Sequence, residues 1–470
     1  MSPPTRPPSE AAQRKALTGL DALFLYLESA GTPMHVGSAM LIDKPKGRRQ
    51  FTASLRDHLI ARLAPLPMLR WVLEEAPMAL DHPSWRDGGE IDWQAHLRSS
   101  RLPSAGAAAL ARRLAELHAE PLDRDRPLWR IEIIDGLPKG QVALYMKSHH
   151  ALVDGQAGVA LTRALVDLEA GAGAAEGGAP DKASAPAGKS KRARLRASAA
   201  QLGRMLRGLP EGVRQIREGA ASDWLGRLRD SVWLAPKTPF NRTIGEARRV
   251  GLVSLPLADL KRCAKGFGVS LNDVVMCVVA DALRADLARR RCLPEDPLVA
   301  AMPVSLREPG KEGGNEVSMV QCPLGTDVAD PVDRLHAIRE ATRAIKGRVS
   351  AFRGLIPTDF PGLGAPLWVS GLGQLWHRGR LTERLPALAN LVISNVPGPP
   401  VPLFIGGAPI RHWYPLSIVT HGLGLNVTLL SYADSMEVGV VSAPECLARP
   451  ETLCRGIERG LARLLKAVPG

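Results

Sequence analysis

Two adjacent histidines, an acid and a glycine lie close together in the segment SHHALVDG, residues 148–155. His149 and His150 are followed by Asp154, four residues after the second histidine, and then by Gly155. Histidine is the side chain most easily held as a neutral base near pH 7. A histidine that takes a proton from a hydroxyl or a thiol turns a weak nucleophile into an effective one. The segment is therefore a candidate for general-base catalysis.

The sequence on either side indicates how this segment is held. Residues 141–146 (QVALYM) are apolar and partly β-branched, which predicts a strand. Apolar residues at helical spacing follow the glycine, so a helix is predicted to begin at or near Asp154. The histidines then lie where a strand gives way to a turn, a place where the backbone is fixed and side chains stay accessible.

The two histidines are predicted to have different roles, because successive residues of a strand point in opposite directions. We predict that His150 is the base and that His149 packs or hydrogen-bonds behind it. Asp154 is predicted to brace the turn through an arginine, and Gly155 to allow a close backbone approach. A structural role for the histidines and a metal site are the alternatives. No HExxH and no third histidine lie nearby, so no metal site is predicted.

Five other short motifs accompany this segment. LDALF (residues 20–24), PMHVG (33–37) and PLW (127–129) precede it, and NDVV (272–275) and SNVPGP (394–399) follow it. In this order, and with HHALVDG matching the signature HHxxxDG, they resemble the bacterial wax ester synthase/diacylglycerol acyltransferase family. That family is a branch of the chloramphenicol acetyltransferase-like acyltransferases.

The resemblance implies both a fold and a reaction. The implied fold is α/β, of the α+β two-layer type, with two chloramphenicol acetyltransferase-like domains and a substrate tunnel at their interface. The implied reaction is acyl transfer from a coenzyme A thioester to an alcohol, with acyl-CoA as co-substrate and no cofactor. The expected acceptors are diacylglycerol, a long-chain fatty alcohol, or both. An acyltransferase with another acceptor (a small alcohol, an amine or a carrier-bound chain) and a non-catalytic lipid-binding protein are the alternatives.

Further residues are candidate substrate contacts. His35 begins a predicted strand and is either a polar group in the tunnel or a structural histidine. Asn272 and Asp273 follow a serine in a capping-box-like pattern, which by itself explains them as a helix start. The resemblance places this helix start near the tunnel, where Asn272 could touch substrate and stabilise the developing oxyanion. Ser394 and Asn395 end a predicted strand, and the rigid proline-rich turn after it could carry them to the site.

Arginines could pair with acids near the site. Arg307, in a loop between two predicted strands, is one candidate partner for Asp154. The polar turn PLDRDRPLW (residues 121–129) supplies two more arginines.

Helices and strands are predicted along most of the chain. The predicted helices are residues 17–29, 51–63, 107–118, 257–267, 270–291, 331–347 and 450–468. The predicted strands are residues 36–42, 129–134, 141–146, 249–255, 298–304, 316–324, 391–395, 424–431 and 436–441. Residues 92–97 are predicted to be irregular, and residues 352–376 to form short helices that could line a lipid pocket.

Length and charge are consistent with a two-domain protein that meets anionic partners. At 470 residues the chain exceeds one ordinary hydrophobic core. We predict a disordered arm at residues 1–16, a first acyltransferase domain at 17–169, a linker with a basic crossover helix at 170–239 and a second acyltransferase domain at 240–470. The net charge of +14 favours anionic membrane, nucleic acid or a phosphate-bearing ligand such as coenzyme A.

Residues 189–217 hold nine basic residues and one acid. A basic amphipathic helix there could lie on an anionic membrane or lipid droplet. A solvated crossover helix is the alternative, and the lack of interleaved aromatics argues against nucleic acid. The six cysteines form no CxxC pair, and the chain shows neither a signal-peptide pattern nor an apolar run near ~18 residues. We therefore expect a cytoplasmic protein with reduced thiols, peripherally associated with the inner face of the membrane or with lipid droplets.

Overall fold

The fold contains two six-stranded mixed sheets flanked by helices, and a third, smaller sheet of three strands. The computed structural model describes residues 15–45, 47, 50–76, 82–153, 155–169, 233–305, 317–352, 383 and 386–469. The predicted short helices at residues 352–376 and the basic segment at 189–217 therefore lie almost entirely outside the described residues. The predicted mixed α/β fold with two domains is confirmed.

Helices and strands alternate through both halves of the described chain. The strands are β1 (Lys15–Ala16), β2 (His35–Asp43), β3 (Trp71–Glu74), β4 (Ser84–Asp87), β5 (Leu97–Arg101), β6 (Trp129–Asp135), β7 (Gln141–His149), β8 (Arg249–Pro256), β9 (Val299–Ser305), β10 (Val317–Pro323), β11 (Leu391–Val396), β12 (Phe404–Ile405), β13 (Ala408–Leu416), β14 (Leu425–Tyr432) and β15 (Ser435–Ser442). The helices are α1 (Gly19–Leu27), α2 (Phe51–Leu63), α3 (Trp93–His96), α4 (Ala107–Ala119), α5 (Gly155–Leu165), α6 (Leu257–Phe267), α7 (Leu271–Arg289), α8 (Pro331–Phe352) and α9 (Pro450–Ala467).

The prediction of irregular structure at residues 92–97 is wrong. Asp92 accepts hydrogen bonds from the backbone N–H groups of Gln94 and Ala95, and this cap starts the one-turn helix α3. The chain then enters β5, which pairs in parallel with β6. A single turn is too short to show a helical period in the sequence, and β5 (LRSSR) lacks the apolar alternation of a strand.

The first large sheet has the strand order β12-β13-β2-β7-β6-β5, which places β7 near its centre. Strand β7 is antiparallel to both β2 and β6. The residues on either side of the β6–β7 turn, Trp129–Ile134 and Val142–His149, are all buried. The turn itself uses positive φ angles at Gly136 (90°) and Gly140 (70°), which glycine adopts without strain. The histidine segment thus leaves the sheet from one of its best-supported strands.

The second large sheet has the order β10-β9-β11-β14-β15-β8 and is built from the second half of the chain. Strand β11 runs parallel to β9 and β14, whereas the remaining pairs are antiparallel. The strands of the second half are not confined to this sheet, because β13 pairs with β2, placing Leu416 opposite Gly37. The first sheet therefore includes two strands from the second half, β12 and β13.

The two large sheets meet where β15 approaches β13. A Cβ atom on Gly439 would lie 1.7 Å from the carbonyl oxygen of Pro415, so only glycine permits this approach. Nearby, the fully buried carboxylate of Glu437 lies 3.0 Å from Nδ1 of His412, a β13 residue. One hydrophobic cluster contains side chains of both halves, including Tyr145 and Val438. Polar and apolar contacts therefore both join the halves.

Candidate active site

His149 is the last residue of β7, and its side chain is fully buried. Its backbone N–H donates to the carbonyl of Leu128 (2.9 Å). The ring Nδ1 accepts the N–H of Ala151 at 3.1 Å, which assigns the ring proton of a neutral imidazole to Nε2. Nε2 faces Oε1 of Glu28 at 3.4 Å, an electrostatic contact that falls short of hydrogen-bond geometry. The ring is therefore held on both sides by the protein.

Glu28 immediately follows α1 and joins three segments of the chain. Its Oε1 accepts the backbone N–H of Met34 at 3.0 Å. Its Oε2 accepts two hydrogen bonds from Arg124, at 3.0 and 2.9 Å. Burial raises the pKa of this carboxyl, but the contacts with His149, Met34 and Arg124 outweigh burial and lower the pKa to about 2. Glu28 is therefore a carboxylate throughout the neutral range.

His150 lies in the turn after β7. Its backbone N–H donates to the carbonyl of Met34 at 2.9 Å. Its ring stacks on Phe24 of α1, with centroids 4.0 Å apart and planes inclined by 12°. Burial lowers the pKa of His150 to about 4; the residue's own backbone opposes this effect and His149 adds to it. The imidazole is therefore neutral at pH 7, and its buried Nδ1 has no hydrogen-bond partner among the described residues.

His35 lies directly opposite His149 on the neighbouring strand β2. Its Nε2 donates to the carbonyl of His118 at 2.9 Å, while its buried Nδ1 has no hydrogen-bond partner in the part of the chain that the structure describes. The ring of His118 contacts the hydroxyl of Tyr145 (2.8 Å) and the carbonyl of Ser417 (3.1 Å). Burial lowers the pKa of His35 well below its ordinary value, and lowers that of His118 to about 3. Substrate contact by His35 stays a prediction, and its described contacts are structural.

Lys147, two residues before His149, is also fully buried. Its ammonium donates to the carbonyls of Leu117 (2.7 Å) and Glu120, at the C-terminal end of α4. Helix C-termini leave such carbonyls without partners inside the helix, so this lysine satisfies two of them. Burial lowers the pKa of Lys147 to about 7. Together with His35 and His118 it forms a buried polar layer that supports the end of β7.

Asp273 lies in the first turn of α7 and forms the predicted capping box with Ser270, the N-cap residue. Its N–H donates to Oγ of Ser270 (3.2 Å), and its Oδ2 accepts the N–H of Ser270 (2.9 Å). Its Oδ1 accepts the hydroxyl of Thr342 at 2.7 Å. Both carboxylate oxygens of this buried side chain are thus engaged within the protein. Helix capping accounts for Asp273, and substrate contact by it stays a prediction.

Asn272 and Asn395 come together although they lie on different elements. Nδ2 of Asn395 donates to Oδ1 of Asn272 at 3.3 Å. Ser394, which precedes Asn395 at the end of β11, is half-buried. The following turn is fixed by a 3.0 Å bond from the N–H of Gly398 to Oγ of Ser431. The structure therefore groups the asparagines of the NDVV and SNVPGP motifs at one place, with an amide exposed.

Asp154 and Arg307 lie outside the described residues, so their predicted pairing stays a prediction. Gly155 is the first residue of α5. The far end of this helix is held by Arg62, which donates to the carbonyl of Ala164 at 2.9 Å. Across the described ranges, no three His, Cys, Asp or Glu side chains are grouped so as to hold a metal ion.

Comparisons with known proteins decide the family. The model of the wax ester synthase/diacylglycerol acyltransferase catalytic domain matches residues 17–275, and that of the corresponding C-terminal domain matches residues 313–465. The chain belongs to the wax ester synthase/diacylglycerol acyltransferase family. It is an acyltransferase, as predicted.

Curated relatives of this acyltransferase include two proteins of Mycobacterium tuberculosis. One, provisionally named diacylglycerol O-acyltransferase Rv3740c, is 35% identical over 460 residues, which cover 96% of this chain and 100% of the relative. The other, provisionally named diacylglycerol O-acyltransferase Tgs4, is 35% identical over 469 residues and 95% of each chain.

Solved structures place the acyltransferase in the same fold. The wax ester synthase/diacylglycerol acyltransferase of Marinobacter aquaeolei VT8 is 28% identical, with a TM-score of 0.69 over 97% of this chain and 99% of that chain. The first condensation domain of the calcium-dependent antibiotic synthetase shares the fold, with a TM-score of 0.53 at 18% identity. The substrate tunnel at the domain interface stays a prediction.

Glu28 is the residue of this site that the sequence analysis missed. It lies between the LDALF and PMHVG motifs. The signal that could have indicated it was the pair of arginines in the turn at residues 121–129, which were candidate partners for an acid near the site. One of them, Arg124, binds Glu28.

The described helices are short or polar relative to a membrane span. None of them, taken singly, is both long enough and apolar enough to cross a bilayer. Among the described helices, the pair α6 and α7 reaches that length and composition when the two are taken together, and they are bent by 105° where they join.

Proposed function

We propose that this acyltransferase transfers a fatty acyl group from acyl-CoA to the hydroxyl of a diacylglycerol or a long-chain alcohol, giving triacylglycerol or wax ester. The observation that carries the proposal is the state of His150. Its imidazole is neutral at pH 7, stacked on Phe24 and fixed through its backbone N–H. A rigid neutral imidazole on a turn is what a general base requires.

The proposed reaction is a direct transfer. His150 Nε2 takes the hydroxyl proton as the alcohol oxygen attacks the thioester carbonyl carbon. The tetrahedral intermediate then collapses, the carbon–sulfur bond breaks, and the imidazolium returns the proton to the leaving thiolate. The products are the ester and free coenzyme A, and no covalent acyl-enzyme forms. For Nε2 to act as the acceptor, the proton of the neutral ring must reside on the buried Nδ1.

The developing oxyanion needs a donor. Asn272 is the proposed one, and its contact with Asn395 supports this choice because the pair lies where two family motifs meet. A backbone amide nearby is the alternative donor. Gly155 and Ser394 are proposed to line the same site, and Asp154 to brace the turn after the histidines. His149, with its ring fixed between Ala151 and Glu28, is proposed to hold His150 in place.

We further propose that the enzyme meets its lipid substrates at an anionic membrane or lipid-droplet surface. The support is the net charge of +14, to which residues 189–217 contribute nine basic side chains against one acid. Such a charge attracts anionic lipid, and the attraction weakens with salt. Flotation with vesicles of phosphatidylglycerol, compared with phosphatidylcholine alone, tests this. Equal recovery with both, at low salt, would contradict it.

Release of free thiol from palmitoyl-CoA tests the activity. The purified protein and its His150→Ala variant are each assayed with hexadecanol, with dioleoylglycerol and without acceptor. We expect acceptor-dependent release that the variant loses, and the two acceptors are ranked by their rates. Release without an acceptor would indicate a thioesterase. No release with any acceptor, from folded protein, would indicate another acyl donor or a lipid-binding role.

A further inference from the structure

We infer that Glu28 is a positioning residue that fixes both histidines through a single carboxylate. The inference rests on the proposed function and extends it to a residue outside the HHxxxDG motif. Two routes run from Oε1 of Glu28, one to the ring of His149 and the other to the backbone of His150. Arg124 anchors the opposite oxygen.

The first route acts on the ring of His149. Nε2 of this histidine lies 3.4 Å from Oε1 of Glu28, while Nδ1 accepts the Ala151 N–H. A carboxylate accepts but cannot donate, so it favours the tautomer that carries the proton on Nε2. That tautomer leaves Nδ1 free to bind the Ala151 N–H. Glu28 therefore stabilises the turn that begins at His149.

The second route runs through the main chain. Oε1 of Glu28 accepts the N–H of Met34 at 3.0 Å, and the carbonyl of Met34 accepts the N–H of His150 at 2.9 Å. Met34 thus links Glu28 to His150: its N–H binds the Glu28 carboxylate, and its carbonyl binds the His150 N–H. This route acts on the backbone of the base rather than on its ring.

Arg124 makes the carboxylate a rigid support. It donates two hydrogen bonds to Oε2, at 3.0 and 2.9 Å, and a third to the carbonyl of Leu25 at 2.6 Å. Charge-assisted pairs of this kind are short and directional. The Glu28 side chain is only 8% exposed, whereas that of Arg124 is 39% exposed, so the carboxylate is the shielded member of the pair. Three segments are thereby tied together: the end of α1, the start of β2 and the turn before β6.

The expected consequence is a loss of turnover rather than of binding. A displacement of about 1 Å at a reacting group can cost about 100-fold in rate. We expect Glu28→Ala to lower kcat by about 100-fold and Glu28→Gln by about 10-fold, with KM changed less than threefold in both. The glutamine keeps one oxygen acceptor but loses the charge that Arg124 and His149 face.

A matched control is available in the same half of the chain. Glu132, a residue of β6, is also buried, and its carboxylate pairs with Arg113 of α4 at 2.6 Å. Glu132→Gln removes a comparable buried carboxylate that has no described contact with either histidine. It should leave kcat within twofold of the wild type, whatever it costs in thermal stability.

The experiment combines kinetics with nitrogen NMR of the histidine rings in the full-length protein. In the wild type we expect His149 to hold one tautomer with the proton on Nε2, and in Glu28→Ala a mixture. Arg124→Gln, which leaves the carboxylate in place without its anchor, should lose about 3- to 10-fold in kcat. It serves as the second variant if Glu28→Ala does not fold.

Two results would overturn the inference. One is a folded Glu28 variant that keeps kcat within threefold of the wild type. The other is an unchanged His149 tautomer in Glu28→Ala together with a rate loss matched by Glu132→Gln. If the wild type showed no His150-dependent transfer, the proposed function would fail instead. The NMR comparison would then still decide whether Glu28 fixes His149.

Discussion

The backbone N–H of His150 and the carbonyl oxygen of Met34 are joined by a 2.9 Å hydrogen bond. The bond connects the turn after β7 to the residue just before β2. It lies next to the pair His35 and His149, which is the last pair of residues in the β2–β7 ladder. The position of the proposed base is thus set by main-chain atoms, which a change of its side chain does not remove. His149, in contrast, is held by atoms of its ring. The two histidines should therefore respond differently to truncation.

Truncation of His150 should strongly reduce activity and leave the fold intact. His150→Ala keeps the hydrogen bond to Met34, so we expect the midpoint of thermal unfolding to fall by only a few degrees. The loss of the general base should lower kcat by about 10²- to 10⁴-fold. Thermal unfolding and the thiol-release assay measure the two effects, and a variant with wild-type turnover would rule out His150 as the base.

Truncation of His149 should destabilise the protein. His149→Ala leaves the N–H of Ala151 without its acceptor and removes the ring that faces the Glu28 carboxylate. Buried polar groups without partners cost about 1–3 kcal/mol each. We expect urea unfolding to show a lower free energy of unfolding than for His150→Ala. A smaller loss than in His150→Ala would contradict the supporting role of the ring.

The activity should persist to unusually acid pH. Burial lowers the pKa of His150 to about 4, so the base remains neutral until the pH falls toward that value. We expect kcat/KM with a soluble acceptor to be level from pH 7 to about pH 5 and to fall below it. Half-maximal activity near 6.5, the ordinary histidine value, would indicate a solvated or different base. Circular dichroism at each pH identifies any loss that comes from unfolding.

Acid should also weaken the fold through the buried histidines. The pKa of His118 is lowered to about 3 by burial, whereas in the unfolded chain it lies near the ordinary value of 6.5. Between these values the unfolded state binds more protons, so the free energy of unfolding decreases as the pH falls from 6.5. The slope is at most about 1.4 kcal/mol per pH unit for this group. Urea titrations at pH 7, 6 and 5 measure it, and His118→Gln should show a shallower dependence than the wild type.

The ring of Phe24 should affect both the turnover and the pKa of His150, on which it stacks. Phe24→Ala removes the face on which His150 stacks at 4.0 Å and admits water to the imidazole. We expect turnover to fall by about 10-fold and the acid limb of the pH profile to shift upward toward 6.5, because burial is the main cause of the low pKa. Leu27→Ala, at the exposed end of the same helix, is the control and should change neither. An unshifted acid limb in Phe24→Ala would contradict this account.

The junction of the halves should depend on Gly439. In Gly439→Ala the added Cβ would lie 1.7 Å from the carbonyl oxygen of Pro415, so one strand must move. We expect a loss of about 3 kcal/mol or more in the free energy of unfolding. Gly158→Ala is the matched control, because the new Cβ meets one side-chain atom, Cγ1 of Val153, at 3.2 Å and no backbone atom. A loss in Gly439→Ala no larger than in this control would show that the strands can adjust.

Strong periodicity made most elements predictable. Helices α2 and α6 occupy the predicted residues 51–63 and 257–267, because their buried positions repeat at helical spacing. The strand β7 is longer than predicted and ends at His149. The residues just before the histidines are polar, and the predicted strand stopped at the last apolar residue. Lys147 is buried there because the end of α4 supplies acceptors for its ammonium, which a local sequence pattern does not reveal.

Long-range contacts were not predictable from the sequence. Strand β13 (APIRHWYPL) contains two prolines and an arginine, so it lacks the pattern of an internal strand, yet it pairs with β2. Its partner, β2, lies in the other half of the chain, and a local sequence pattern does not indicate which distant strand it pairs with. Glu28 escaped notice for the same reason, because Arg124 and His149 are distant from it in sequence. Strand geometry predicted different roles for His149 and His150, but only His149 belongs to β7, and His150 lies in the turn after it. The two rings do lie in different surroundings, that of His149 against Ala151 and that of His150 against Phe24.

The pairing of β13 with β2 also bears on how the protein is made. During synthesis the histidine-bearing half emerges first, and until β13 is translated the N–H and carbonyl groups along that side of β2 have no strand to pair with. An open strand edge is a template for aggregation. A fragment that stops at residue 275, where the match to the catalytic-domain model ends, would keep that edge permanently. We therefore expect such a fragment to aggregate more readily than the full-length chain, in which β13 pairs with that side of β2.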